Sequence, residues 1–294
     1  SQEIFFTSGE TEGDNWVLKG VAFEKCPYGN HIIVSNVEHP AVKNTAEWLK
    51  TQGFEVDFAP VDGDGFVIVS ELEKLIRDET ILISIMAVNN EVGTIQPIGE
   101  ISDLLADKPT ISFHVDAVQA IGKIPLEAWL TERVDFAVLS AHKFHGPRGV
   151  GIVVAKKGKR LTPLLHGGGQ EHNWRSTTEN LAGIAATSKA LRLALDDDDF
   201  KRQKVRAMKQ VILEELEKHR KVHVFSKVEN FAPNILTFGI RGVRGEVVVH
   251  AFEQHEIYIS TTSACSSKKN AAAGTLVAMN VPSKLPPNLS LIHI

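Results

Sequence analysis

The stretch "VLSAHKFHGPRGVGIVV" (Val138 to Val154) decides the reading of the fold. An apolar run stops at Ser140-Ala141, and Lys143 follows between His142 and His145. Gly146, Pro147 and Gly149 supply a tight turn, and a second apolar run begins at once. Runs that are apolar throughout read as strands buried on both faces. Lys143 therefore stands at the mouth of a buried strand, where a strongly hydrated ammonium has little reason to be.

Runs that read as strands lie at 3–7, 31–35, 81–88, 110–116, 135–141 and 149–155, several of them apolar throughout. Helical patterns separate them. Residues 41–53 repeat apolar positions at Val42, Ala46 and Leu49 and stop at Gly53, a helix-ending residue. "SELEKLI" carries Ser70 and Glu73 at capping-box spacing, and "IGEISDLLAD" places Ile98, Ile101 and Leu105 on one face. Strand–helix–strand alternation predicts an α/β domain over 1–196, with a mainly parallel sheet flanked by helices. The charged run "LDDDDFKRQK" (195–204) reads as a solvated linker or helix start. Beyond it, an amphipathic helix, strands "VHVFS", "NILTFGI" and "IYIST", and a helix "GEVVVHAFEQH" predict a smaller α+β domain over 197–294.

The net charge of −4 over 294 residues gives no basic face for nucleic acid or an anionic membrane. Two cysteines, Cys26 and Cys265, make neither a disulfide framework nor a cysteine-rich metal site, and suit a reducing, cytoplasmic setting. No apolar run reaches membrane-spanning length.

In open α/β sheets, ligands bind beyond the carboxyl ends of the strands. The polar residues expected there are His39, Asn89 and Asn90, Asp116 with Gln119, and Ser140, His142 and Lys143. Each also has a plainer role. Lys143 reads as a surface lysine or a Schiff-base amine, Asp116 as a helix cap or a ligand carboxylate. His39 reads as a capping or a site histidine, and Asn90 as a turn residue or a contact for substrate. "FTSGETEGDNW" is a strand, a turn at Gly9 and a helix start, where Thr11 and free backbone N–H groups suit an anion. Cys265, in "STTSACSSKKNAAAG", has small polar neighbours and two lysines, Lys268 and Lys269. It reads either as an ordinary surface cysteine or as a thiol with a depressed pKa.

Taken together, "TSGETEGDN", "VEHPAV", "VNNEVGTIQPI", "HVDAVQAIGK", "SAHKFHGPRGVG", "HGGGQEHNWRSTTEN", "APNIL" and "TTSACSS" resemble the cysteine desulfurases, in that family's order. These are pyridoxal 5′-phosphate (PLP) enzymes of the class V aminotransferase group. The resemblance implies the PLP-dependent transferase fold of type I and assigns roles. Lys143 matches the lysine that carries PLP and Asp116 the carboxylate on its pyridine nitrogen. His39 matches the imidazole stacked on the ring, and Gln119 the donor to its phenolic oxygen. Thr11, Ser140 and His142 match the phosphate cradle. Thr178 matches a threonine that reaches the partner subunit's cofactor, which implies a homodimer. Asn90 matches a residue beside the substrate carboxylate, and Cys265 the nucleophile that takes sulfur from L-cysteine as a persulfide. A sulfur-acceptor protein, in iron–sulfur assembly or tRNA thiolation, follows by the same resemblance.

The family also carries a segment before the equivalent of Ser1, and a C-terminal arginine where this chain reads Asn288-Leu289-Ser290. "LSLIHI" (Leu289 to Ile294) reads as a foreign, adapter-derived tail; without that segment and that arginine, weak folding and turnover are expected of the chain. The rival readings are selenocysteine lyase or an aminotransferase of the same class, and a sulfur-relay protein without catalysis. A zinc site built from His142, His145, His166 or His172 lacks any paired ligand spacing.

Overall fold

The computed structural model describes residues 2–261 and 274–281, and the backbone of Ser290–His293. The chain divides into two compact units. The first comprises Ser1–Pro60, Val67–Ala87 and Gln96–Asp198; the second Val61–Phe66, Val88–Ile95 and Asp199–Ile294. A single cut at 196/197 thus leaves out two short excursions, which join the second unit from the earlier part of the chain.

The first unit is built on a seven-stranded sheet. Its strands are β1 (Ile4–Thr7), β2 (His31–Ser35), β3 (Glu55–Ala59), β4 (Thr80–Ser84), β5 (Ser112–Asp116), β6 (Phe136–Ser140) and β7 (Gly151–Ala155). They lie in the order β1-β7-β6-β5-β4-β2-β3. Pairs β2/β3, β2/β4, β4/β5 and β5/β6 are parallel, whereas β7 runs antiparallel to both β6 and β1. Every strand except β7 therefore brings its carboxyl end to the same edge.

Strands β2, β4, β5 and β6 are buried along their whole length, as their apolar runs require. Helices α1 (Glu10–Lys25), α2 (Pro40–Thr51), α3 (Val69–Leu75), α4 (Ile98–Leu104) and α5 (Leu181–Leu195) accompany them. Trp16, Val17 and Leu18 of α1 share a core with Ile32, Leu82, Phe136 and Val153. The helix reaches the sheet closely because Gly13 faces Val138: a Cβ there would lie 2.9 Å from a valine methyl.

One local expectation changes and another is narrowed. Ser70 does not cap α3: Ile68 occupies the cap position with no side-chain bond, because the helix opens two residues earlier than the capping-box pattern implies. Of the two readings of the aspartate run, the helix start holds rather than the linker. Asp196 closes α5, Asp197 turns at φ 51°, and α6 (Asp198–Glu217) begins directly.

The second unit holds a four-stranded antiparallel sheet, β10-β11-β9-β8. These strands are β8 (Val222–Val224), β9 (Ile235–Ile240), β10 (Ser260–Thr261) and β11 (Ser290–His293), with helices α7 (Gly245–Glu253) and α8 (Gly274–Ala278). Its core sets Leu213 of α6 against Leu236, Phe238 and Val248. The excursions are sewn in by backbone bonds from Ala232 N–H to the Gly93 carbonyl (2.7 Å) and from Ile95 N–H to the Asn230 carbonyl (3.0 Å).

Candidate active site

The carboxyl edge of the first sheet carries the polar residues. β6 ends at Ser140 and passes into a 3₁₀ turn, Ala141–Phe144, which holds Lys143. His145, at φ 65°, ends that turn, and Gly146 N–H returns to the Ala141 carbonyl at 2.8 Å. This half-buried loop is tight, so Lys143 leaves the strand end with little freedom of direction. Gly151 opens β7 where a Cβ would overlap the Thr7 hydroxyl and the Gly9 carbonyl. The β1–α1 turn is thereby brought onto the β6–β7 turn.

Asp116 ends β5. It is 4% exposed, and its Oδ1 accepts the Val118 N–H at 3.0 Å. Burial raises its pKa to about 6; the Val118 bond and Lys143 pull it down, and Glu10 pushes it up. Two further acids, Asp14 and Glu38, are buried as well. Burial raises Glu38 to about 8, although its Oε1 accepts from Ser35 Oγ (2.5 Å) and Met86 N–H (2.8 Å). Asp14 is raised well above the usual carboxylate range, by burial and then by the charges of Asp116, Glu38 and Glu10. His114, buried with Nδ1 2.8 Å from Ser84 Oγ, falls to about 3 by burial. Near neutral pH, Glu38 and His114 are thus uncharged and Asp116 is largely ionised, while Asp14 is shifted in the same direction as Glu38.

His39 caps α2, its Nδ1 accepting the Ala41 N–H at 3.2 Å. The capping role and a site role are therefore compatible, because the cap fixes the ring and leaves Nε2 as the protonated nitrogen of neutral imidazole. Burial lowers its pKa; Glu10 works upward and Lys143 downward. Ser140 Oγ lies 2.9 Å from His142 Nδ1. Lys143 sits amid the group, its charge acting on His39, Asp116, His142 and Lys123.

Ser140 and His142 share a cleft with Gly9, Glu10, Thr11 and Arg148. Glu10 was not singled out by the sequence pattern. Burial works to raise its pKa, but a hydrogen bond from Ser140 and the charges of His142 and His39 outweigh it, so the group is held below the usual range. An anion thus already occupies this corner.

Thr178 is not in that cleft. It lines an adjoining one with Phe6, Arg175 and Asn180; Ser8 and Gly149 border both. Two contacts fix this wall: Trp174 stacks on Phe5 with ring centroids 4.6 Å apart, and Arg175 grips Glu12 through two bonds of 2.7 and 2.9 Å. Asn90 belongs to the second unit. The turn there is made by its neighbour: Asn89 Oδ1 accepts the Glu91 and Val92 N–H groups, both at 2.9 Å. Cys265, with Lys268 and Lys269, lies outside the described residues. Among the described residues, no group of three His, Cys, Asp or Glu side chains is placed to hold a metal ion.

This geometry can anchor a carbonyl compound on an amine, pair a cationic ring nitrogen with a buried carboxylate, and receive an anion at a helix start. Comparison with known proteins agrees. The class V aminotransferase pattern matches residues 1–280. A "NifS/IcsS protein homolog" of Lactobacillus delbrueckii subsp. bulgaricus is 52% identical over 283 residues, covering 96% of this chain and 74% of the relative. "Cysteine desulfurase IscS" of Dictyoglomus turgidum is 43% identical over 286 residues, covering 97% of this chain and 72% of the relative. A solved "NifS-like protein" superposes with a TM-score of 0.91 at 37% identity, covering 100% of this chain and 77% of its own. The chain belongs to the class V aminotransferase family and, within it, to the cysteine desulfurases.

Proposed function

We propose that the site takes pyridoxal 5′-phosphate on Lys143 and that the chain moves the sulfur of L-cysteine onto Cys265, leaving L-alanine. The observation that carries this reading is the position of Lys143 amid Asp116, His39 and His142 at one sheet edge. The residues fit the cofactor. Asp116 is a buried carboxylate suited to a protonated ring nitrogen. Gln119 offers an amide, and Ser140, His142 and Thr11 offer donors where Glu10 now supplies the negative charge.

When bound, the cofactor's ring accepts the electron pair released at the substrate's Cα. The chain does the rest. Asp116 keeps the ring nitrogen protonated, His39 covers the ring, and Lys143 takes the proton from Cα. The Cys265 thiolate attacks the substrate sulfur; the substrate's C–S bond breaks as the S–S bond forms, the proton of the substrate thiol passes to Cβ, and the proton held by Lys143 returns to Cα to complete alanine. Asn90 lies near the substrate carboxylate in this reading.

The active form is a homodimer in which Thr178 serves the partner's phosphate site. Helix α5 supports this: it is apolar, yet only Gly183 and Thr187 are buried, and Leu181 is 74% exposed. The persulfide passes to a sulfur-acceptor protein in iron–sulfur assembly or tRNA thiolation. The reaction is assigned to the cytoplasm, in keeping with a chain of only two cysteines.

The test is a visible spectrum of the chain with added PLP, before and after L-cysteine, alongside alanine release. A band that shifts with cysteine and is lost in Lys143→Ala is expected. Cys265→Ala should keep the band and stop alanine release. Continued turnover in Cys265→Ala points instead to an aminotransferase, and absence of a band in the parent chain refutes the cofactor reading.

A further inference from the structure

We propose that Lys123 is a positioning residue for this site: it fixes which end of the Gln119 amide is left to donate. The inference rests on the PLP reading given above. Lys123 follows Gln119 by four residues in "QAIGK". Its Nζ donates to Gln119 Oε1 at 2.7 Å.

The local backbone makes this contact. Ala120 N–H bonds the Ala117 carbonyl (2.9 Å), and Lys123 N–H bonds the Ala120 carbonyl (3.0 Å), so the chain coils back beside Gln119. Gly122 permits the coil at φ 69°, pressed against Ala194, whose carbonyl would lie 3.2 Å from a Cβ at that position.

An amide is ambivalent: its oxygen accepts and its NH₂ donates, and the two exchange places by a half-turn about one soft torsion. Gln119 is 6% exposed, so bulk water does little to decide the matter. Lys123 decides it, because its terminal nitrogen is a donor. With the oxygen engaged, NH₂ is the end that remains. That polarity matters for an anionic phenolic oxygen, which an N–H stabilises and a carbonyl oxygen repels.

The charge that bears on Lys123 is that of Lys143, and Lys123 in turn acts on His142. Burial, then Lys143, lowers Lys123 to about 7. The contact survives this titration, since amine and ammonium both carry N–H groups.

The readout is the pH midpoint of the visible band in the PLP-loaded full chain. A donor on the phenolic oxygen makes the nitrogen joining Lys143 to the cofactor easier to deprotonate, so losing it moves the midpoint up. Lys123→Met is expected to raise the midpoint by about one pH unit. Lys123→Arg keeps the N–H groups and stays near the parent value. Gln119→Leu raises the midpoint alone, and adding Lys123→Met to it produces no further change, because the lysine acts through the glutamine.

An unshifted Lys123→Met overturns the inference. So does a full second shift in the double variant, which would mean that the lysine acts by its own charge. If Lys123→Met fails to fold, a Lys123→Arg midpoint displaced as far as that of Gln119→Leu also overturns it. A parent chain that forms no band refutes the cofactor reading itself, which separates the two failures.

Discussion

Replacing Glu38 by glutamine tests the buried charge pattern beneath the site. In the folded chain Glu38 titrates near 8, against an ordinary 4.5, because it is 6% exposed and takes only two hydrogen bonds, both at Oε1. Between those values the native chain holds a proton that the unfolded chain has released. Stability therefore falls as pH rises through this window, and is unaffected by this group below pH 4.5. At 1.36 kcal/mol per pH unit, the loss is about 2 kcal/mol at pH 6 and about 5 kcal/mol at pH 9. Glu38→Gln keeps an oxygen for Ser35 and Met86 and has no proton to lose. The variant should match the parent near pH 4.5 and exceed it increasingly up to pH 8. Urea unfolding at a series of pH values measures this directly. Parallel curves for parent and variant between pH 5 and 8 would refute the assignment of Glu38 as a neutral acid.

Two further outcomes follow from the same edge of the sheet. Glu10→Gln removes the negative charge beside Ser140 and His142; affinity for PLP and for inorganic phosphate should rise about tenfold, the equivalent of about 1.4 kcal/mol, in a fluorescence titration at neutral pH. Gly151→Ala places a methyl onto Thr7 and Gly9, and should destabilise the first unit by about 1 to 3 kcal/mol in urea unfolding while prising apart the β1–α1 turn.

Much of the first unit was legible because its central strands are apolar throughout, a pattern no exposed loop sustains. Three elements were not. The full length of α1 is hidden because small and polar residues, Gly13, Asp14 and Gly20, occupy its buried face and interrupt the apolar rhythm. Strand β3, "EVDFA", lies at the sheet edge with mixed exposure and gives no run. Helix α5 is apolar but largely uncovered, so its pattern marks no internal core. At the site, Asp116, Ser140 and Lys143 follow directly from where strands stop. Glu10 and Lys123 do not, because their roles arise from who faces them: Ser140 across the cleft for one, and the Gln119 oxygen for the other. Asn90 was read as the residue after a strand over 81–88, but β4 stops at Ser84, and Asn90 falls in the second unit through pairing with residues far along the chain.

That pairing governs the order in which the protein can be made. Ser226 bonds the Val92 carbonyl across 134 residues, and Thr237 reaches the Glu91 carbonyl across 146. On the ribosome, Val88–Ile95 emerges long before its partners exist, and must wait while β5, β6 and β7 of the first sheet are still to be made. The first sheet can form from what has already emerged, but the second unit closes only after Ser226 and Thr237 have followed, and loops of that span make the closure slow. A gene split at 196/197 would separate those partners onto two polypeptides, and the second would fold only by recovering from the first the strip that it lacks.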